Sequence, residues 1–438
     1  MDYKEIYKSR VMSAKEALKK IKPNSRVFFG MSMSEPDYLV DVMCNNKDWF
    51  ENVEICHMGS TGPHRYCYEE GMEGHLHHNS LFVSAASKNS VRDGKSDFTP
   101  IFFSEMPRLI ENGPIKADVC MLMVTPPDEN GNVSIGLSCD YTRQALDTAS
   151  LVIAQVNEYW PYTYGDTVVS VEAIDCFVEY SAPIREMPIA PITDKDREIG
   201  KHCAELINDG DTLQLGIGAL PDAVCGFIEH KKNLGIHSEM ISDGVVNLMK
   251  CGAVTNVNKK VDKGVTVASF AMGTTAFYEY IDHNTNFLFK RVDYTNDPFI
   301  VAKQDYMVSI NSCVEVDLQG QVCSESVGLF QISAVGGQVD FVRGCSLAKH
   351  GRSIIATHSV TKNHKSKIVA FLEPGAAVTT SRNDVDYVVT EYGIAHLKGR
   401  SLRERAILLI NIAHPDFRDE LKKEFERRFK CEFPEELD

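Results

Sequence analysis

No apolar run in this 438-residue chain approaches the roughly 20 residues needed to span a bilayer. Residues 1–22 are charged and helix-forming, with Met12, Ala14, Ala17 and Leu18 but no continuous apolar stretch. A signal peptide is therefore not expected, and the cytoplasm is the default location. Thirteen cysteines are present, yet none forms a Cys-x-x-Cys pair. That odd, scattered set argues against a disulfide framework or an iron–sulfur site and for buried thiols in a reducing compartment. Positive charge is in deficit as well. A net charge of −15 disfavours general attraction to nucleic acid, so any polyanionic ligand needs local basic residues.

Several chemical signatures are missing. Gly216-Ile-Gly-Ala-Leu-Pro221 stops short of the dinucleotide fingerprint, because proline stands where the third glycine belongs. No phosphate loop with Gly-Lys-Ser/Thr occurs, so nucleotide hydrolysis and hydride transfer lack their motifs. There is no Gly-x-Ser-x-Gly elbow for a serine hydrolase. The histidines of Gly74-His-Leu-His-His78, with His57 and His64, have no partner at a recognised zinc spacing, and no His-Glu-x-x-His occurs. No metal site is expected.

What remains is an ordinary globular composition, 43% hydrophobic and 24% charged, long enough for two domains. Short Val/Ile/Phe runs such as Arg26-Val-Phe-Phe29, Val119-Cys-Met-Leu-Met-Val124 and Leu151-Val-Ile-Ala154 alternate with helix-like segments. Parallel strands buried on both faces read this way, so the fold class is α/β with largely parallel sheets. A proline-rich stretch over residues 183–191 reads as a linker between an N-terminal domain, 1–190, and a C-terminal domain, 191–438.

The two halves echo each other. Val27-Phe-Phe-Gly30 matches Leu213-Gln-Leu-Gly216, each followed by a proline and a helix-like segment. Ala117-Asp-Val-Cys-Met-Leu-Met123 matches Gln304-Asp-Tyr-Met-Val-Ser-Ile310, and Leu151-Val-Ile-Ala-Gln-Val-Asn157 matches Ser353-Ile-Ile-Ala-Thr-His-Ser359. Three echoes in one order indicate two similarly built α/β domains, with an active site expected in the cleft between them. Helical spacing over residues 402–412, and a charged amphipathic pattern over 415–429, predict two closing helices.

One pair of segments concentrates the chemistry. Asp211-Thr-Leu-Gln-Leu-Gly-Ile-Gly-Ala-Leu-Pro221 reads as a strand breaking into a glycine turn and a helix. Leu234-Gly-Ile-His-Ser-Glu-Met240 reads as a second apolar strand ending on a carboxylate. In a parallel sheet both strands deliver their C-terminal ends to one edge, which sets Glu239 beside the amides of Gly216, Gly218 and Ala219. A carboxylate interrupting an apolar stretch is costly unless it is paired, caps a helix or is used. Glu105, in Phe102-Phe-Ser-Glu-Met106, repeats the Ser-Glu-Met setting, but its half has Gly30-Met-Ser-Met33 in place of the glycine turn. It reads as structural or cleft-lining. His237 reads as orienting or packed. Two further glycine elements, Ala334-Val-Gly-Gly-Gln-Val-Asp-Phe341 and Glu373-Pro-Gly-Ala-Ala-Val-Thr-Thr380, are ordinary turns or walls of the same pocket.

Taken together, Gly216-Ile-Gly-Ala-Leu-Pro221, His237-Ser-Glu-Met-Ile-Ser-Asp-Gly244, Val335-Gly-Gly-Gln-Val-Asp-Phe341 and Val389-Thr-Glu-Tyr-Gly-Ile-Ala-His-Leu-Lys-Gly399 resemble the acetyl-CoA hydrolase/transferase family. These are the class I CoA-transferases, and the resemblance is nearest to the 4-hydroxybutyrate and butyryl-CoA:acetate branch. It implies that Glu239 is the covalent carboxylate, that Gly216, Ile217, Gly218, Ala219 and Leu220 contact CoA, and that Gly336 and Gly337 lie near the thioester. Asn311, Lys362 and Glu391 carry over as further CoA contacts. Lys362, Lys365 and Lys367 are candidates for the CoA phosphates or form a solvated basic loop. The implied reaction is ping-pong transfer of CoA between a short-chain acyl-CoA and acetate, through an acyl-glutamyl anhydride and a glutamyl-CoA thioester. Coenzyme A enters as substrate, with no resident cofactor or metal. A cytoplasmic homodimer acting in fermentative butyrate or 4-hydroxybutyrate metabolism is implied, with no nucleic-acid or membrane partner. Acyl-CoA hydrolysis by the same glutamate, and a non-catalytic CoA-binding role, stand as alternatives.

Overall fold

The computed structural model describes residues 2–434. They divide into two compact units: residues 2–188 with 265–295 and 331–336, and residues 189–264 with 296–330 and 337–434.

The first unit is built on seven strands: β1 (Arg26–Phe29), β2 (Val53–Met58), β3 (Leu76–Phe82), β4 (Ser96–Phe98), β5 (Val119–Val124), β6 (Leu151–Val156) and β7 (Cys176–Glu179). They lie in the order β4-β3-β2-β1-β5-β6-β7, and every neighbouring pair is parallel. All six residues of β5 are buried, which is why its sequence is apolar at every position instead of alternating.

The second unit holds six strands: β8 (Thr212–Leu215), β9 (Gly235–Ile236), β10 (Met307–Asn311), β11 (Arg352–Ala356), β12 (Tyr387–Thr390) and β13 (Gly393–His396). Their order is β9-β8-β10-β11-β12-β13, parallel except for the last antiparallel pair. The fold class read from the sequence is thus observed, and the internal echo has a topological meaning. In each unit the first echoed strand pairs with the second, β1 with β5 and β8 with β10. The second in turn pairs with the third, β5 with β6 and β10 with β11.

Helices Leu402–Asn411 and Pro415–Phe429 stand where periodicity expected them. Their apolar faces join Val388 of β12 and Ala395 of β13 in one buried cluster that includes Leu409 and Phe425. No disulfide occurs among the described residues, and every cysteine except Cys251 and Cys431 is buried. Among those residues, no helix is long and apolar enough to cross a membrane.

One sequence expectation needs correction. The strand drawn from Leu234 to Met240 is only Gly235–Ile236 in the sheet, and Met240–Ile241 forms a separate short strand. His237 still bonds back to β8, its amide donating to the Leu213 carbonyl at 3.1 Å, and Ser238 and Glu239 lie past the end of the strand. The apolar pattern hid this break, because Ser238 is fully buried although it belongs to neither strand.

Candidate active site

Within the second unit, the strand order reverses at β8: the chain steps from β8 to β9 on one side and later returns to β10 on the other. Such a reversal leaves a crevice at the C-terminal ends of the strands, where α/β folds bind ligands. β8 ends there in Gly216-Ile-Gly218 and enters helix α1 (Ala219–Ile228), whose N-cap is Gly218. Gly218 has φ +106°, a conformation that needs glycine, and no atom lies within 4 Å of where a side chain would begin. Residues 216–220 are all half-buried. Across the reversal, Asn311 at the end of β10 exchanges amide hydrogen bonds of 3.2 and 3.3 Å with Gln214 of β8.

Glu239 is delivered to the same edge. Ser238 Oγ accepts from the Leu215 amide at 3.3 Å and donates to the Leu215 carbonyl at 3.2 Å. The residue before the glutamate is thereby tied to the residue before the glycine turn. Glu239 is half-buried, and its Oε2 accepts 2.7 Å from the Asn296 side-chain amide. Asn296 has no exposed surface. Gly337 is the N-cap of helix α2 (Gln338–Leu347), and a methyl placed on it would meet Glu239 Oε2 and the Asn296 amide within contact distance. The carboxylate therefore sits against the amino end of a ten-residue helix, where the unpaired amides and the helix dipole favour negative charge.

The other expected residues fall in different settings. Gly336 belongs to the first unit, has φ +53°, and a Cβ there would lie 3.2 Å from the Phe82 ring. Glu391 follows β12, and its two oxygens accept from the Ser359 amide and hydroxyl at 2.8 Å each, with Lys195 3.6 Å away. Those bonds tie the ends of β11 and β12 together. Lys362 and Lys365 stand exposed on the loop 361–367, whereas Lys367 is half-buried with its ammonium on the Thr357 hydroxyl. Glu105 is a surface residue paired with Arg108 at 3.1 Å. His237 is buried, its ring edge-on to Phe341 at 6.5 Å. His364, His414 and Asp416 bring metal-ligand chemistry within 4.8 Å of one another. Their atoms already serve an ion pair of 2.8 Å and the cap of helix Pro415–Phe429.

Asn296 was not visible in the sequence. It precedes Asp297, whose carboxylate caps the next helix through the Phe299 amide at 2.7 Å, so the local pattern reads as a helix start. Its partner Glu239 is 57 residues away.

Comparison with known proteins follows the same outline. Residues 1–191 match the acetyl-CoA hydrolase/transferase N-terminal domain and residues 273–425 match the C-terminal domain. The chain belongs to the acetyl-CoA hydrolase/transferase family. A 4-hydroxybutyrate coenzyme A transferase of Clostridium kluyveri is 51% identical over 98% of this chain and 100% of that protein. The butyryl-CoA:acetate CoA-transferase of Anaerostipes caccae is 36% identical over 98% of each chain. The crystal structure of RipA from Yersinia pestis superposes with a TM-score of 0.93 at 35% identity, covering 98% of this chain and all of that one. Membership in the acetyl-CoA hydrolase/transferase family makes this protein an enzyme of CoA transfer.

Proposed function

We propose that the protein moves CoA between a short-chain acyl-CoA, 4-hydroxybutyryl-CoA or butyryl-CoA, and acetate, with Glu239 as the covalent carrier. The observation that carries this reading is the Glu239 carboxylate, half-exposed at the strand ends and held by Asn296 against Gly337. The 51% identity to a 4-hydroxybutyrate CoA transferase supports the acyl class.

Glu239 attacks the thioester carbonyl, the C–S bond breaks, and CoA leaves as thiolate while an acyl-glutamyl anhydride forms. The thiolate then attacks the glutamyl carbonyl, the C–O bond to the acyl group breaks, and the first carboxylate departs. The resulting glutamyl-CoA thioester accepts acetate and runs the same steps in reverse. Each tetrahedral intermediate carries an oxyanion. The Gly336 and Gly337 amides, or those of Gly216 and Gly218, are the proposed donors, and losing one such donor costs about 3–4 kcal/mol. Gly216, Ile217, Gly218, Ala219, Leu220 and Asn311 form the proposed CoA-facing wall. Lys362 is the proposed phosphate contact, and Glu391 supports that wall through Ser359.

The test is direct. Enzyme incubated with butyryl-CoA alone and weighed intact is expected to show a glutamyl-CoA adduct, and borohydride, which reduces that thioester to an alcohol and releases CoA, is expected to leave its mark at Glu239. Glu239→Gln should abolish both adduct and turnover. Wild type without an adduct, or a fully active Glu239→Gln, overturns the reading. Acyl-CoA hydrolysis is the second reading that the family's name allows. Rapid thiol release without acetate would favour it. We further propose a cytoplasmic homodimer in fermentative acyl-CoA metabolism, on kinship with these enzymes, and sedimentation tests the dimer.

A further inference from the structure

β9 is the edge strand of its sheet, so one row of its backbone groups faces away from β8. Gly235 and His237 turn their amides inward, to Asp211 at 2.9 Å and Leu213 at 3.1 Å. Ile236 turns its backbone groups outward, away from β8. Two side chains meet them there. The Ile236 amide donates to Asn256 Oδ1 at 2.9 Å, and its carbonyl accepts from Lys259 Nζ at 2.7 Å. Both residues are buried, Asn256 2% and Lys259 3% exposed. The Lys259 stem runs so close over Gly235 that a Cβ there would lie 2.6 Å from its Cγ. Asn256 holds a left-handed φ of +58° while its own amide reaches the Leu234 carbonyl at 3.0 Å.

The peptide plane between Ile236 and His237 is thus pinned at both ends: its carbonyl outward by Lys259, its amide inward by Leu213. It is the last plane paired with β8 before Glu239. A rotation of that plane would be passed through two residues to the carboxylate, a stretch that the bond from Ser238 to Leu215 also restrains. We propose that Lys259, with Asn256, is a positioning residue for Glu239: a side-chain clamp that holds the outer row of β9 and fixes the direction in which the chain leaves the sheet. This inference rests on the reading of Glu239 as the covalent carrier.

The energetics favour a purpose for the clamp. Burying an amine is costly unless it gains a strong partner. Burial draws the Lys259 ammonium down to about 7, against the pull of Asp262, so the site tolerates this group at the expense of its charge. A buried apolar side chain would avoid that cost but could not reach and hold a carbonyl.

Lys259→Met keeps the unbranched stem and deletes the donor. Asn256→Gly keeps the left-handed backbone and deletes the acceptor. Each is mixed with butyryl-CoA and quenched over time, and the enzyme–CoA adduct is weighed. Expected is full final adduct stoichiometry formed about 10–100-fold more slowly, the penalty of a displacement near 1 Å, with the acyl-CoA KM within about twofold of wild type. A reduced final stoichiometry at unchanged rate would mean that the clamp serves only folding, and overturns the proposal. So does an unchanged time course in the variant that folds. Failure of the covalent reading shows elsewhere, as absence of the adduct in wild type.

Discussion

Replacing Gly337 by alanine tests the candidate site most sharply, because its backbone permits the change and its surroundings do not. Gly337 has φ −94° and ψ 4°, open to any residue, so no backbone strain follows. The new methyl, however, would stand 3.0 Å from the Glu239 carboxyl carbon and closer still to Oε2 and to the Asn296 amide. Normal carbon contacts need about 3.5–4.0 Å, so the carboxylate must move by roughly 1 Å or the bond to Asn296 must break. A hydrogen bond to a charged group contributes about 1.5–3 kcal/mol, and a misplacement near 1 Å costs about 100-fold in rate. Gly337→Ala is therefore expected to slow CoA exchange about 100-fold, with a stability loss no larger than the about 1.5–3 kcal/mol of that bond. Gly336→Ala is the control. Its φ of +53° makes alanine strained by about 1–2 kcal/mol, and the nearest atom is a Phe82 ring carbon at 3.2 Å. It should lose stability yet keep more of the rate. Isotope exchange between butyryl-CoA and labelled butyrate, read beside urea unfolding, separates the two. A Gly337→Ala enzyme within threefold of wild type would refute the packing argument.

Two other predictions concern stability. Glu35 is fully buried, and burial above all, with Asp37 adding, raises its carboxyl from 4.5 to about 8, opposed by Arg185, the Gly62 amide and Tyr66. Between those values the native state binds a proton that the unfolded chain has released. Stability therefore falls as pH rises through that window, by at most about 1.4 kcal/mol per pH unit, and levels off above it. Glu35→Gln should remove this slope, so the gap in urea stability between variant and wild type should widen from pH 6 to pH 8; a constant gap refutes it. Arg352 Nη2 pairs with the buried Asp211 at 2.7 Å, while its Nη1 donates to the Leu206 carbonyl at the same distance. Arg352→Met strands that carboxylate and should cost about 3–5 kcal/mol in denaturant unfolding; a loss below about 1 kcal/mol would show the site relaxing.

Much of the fold was legible because it is written in local pattern. β5 reads as a strand buried on both faces because all six of its residues are buried, and helix Pro415–Phe429 reads from its charge periodicity. The glycine turn was legible because φ +106° at Gly218 excludes other residues. The end of β9 was not. Burial keeps Ser238 in an apolar context whether or not it pairs, and only the bonds of its hydroxyl to Leu215, in place of backbone pairing, show where the strand stops.

The sequence by itself determined the α/β class and the doubled architecture, and it singled out Glu239 over Glu105 as the candidate, since each rests on residues close together in the chain. Only the tertiary structure decided what surrounds the carboxylate. Asn296 and Gly337 reach that neighbourhood from far along the chain, the Lys259 clamp folds back from the loop after the next helix, and a residue's side chain carries no mark of a partner 57 positions away. Closing those loops costs conformational entropy that the buried sheet and helices repay collectively, so the convergence is a property of the packed unit and not of any segment in it.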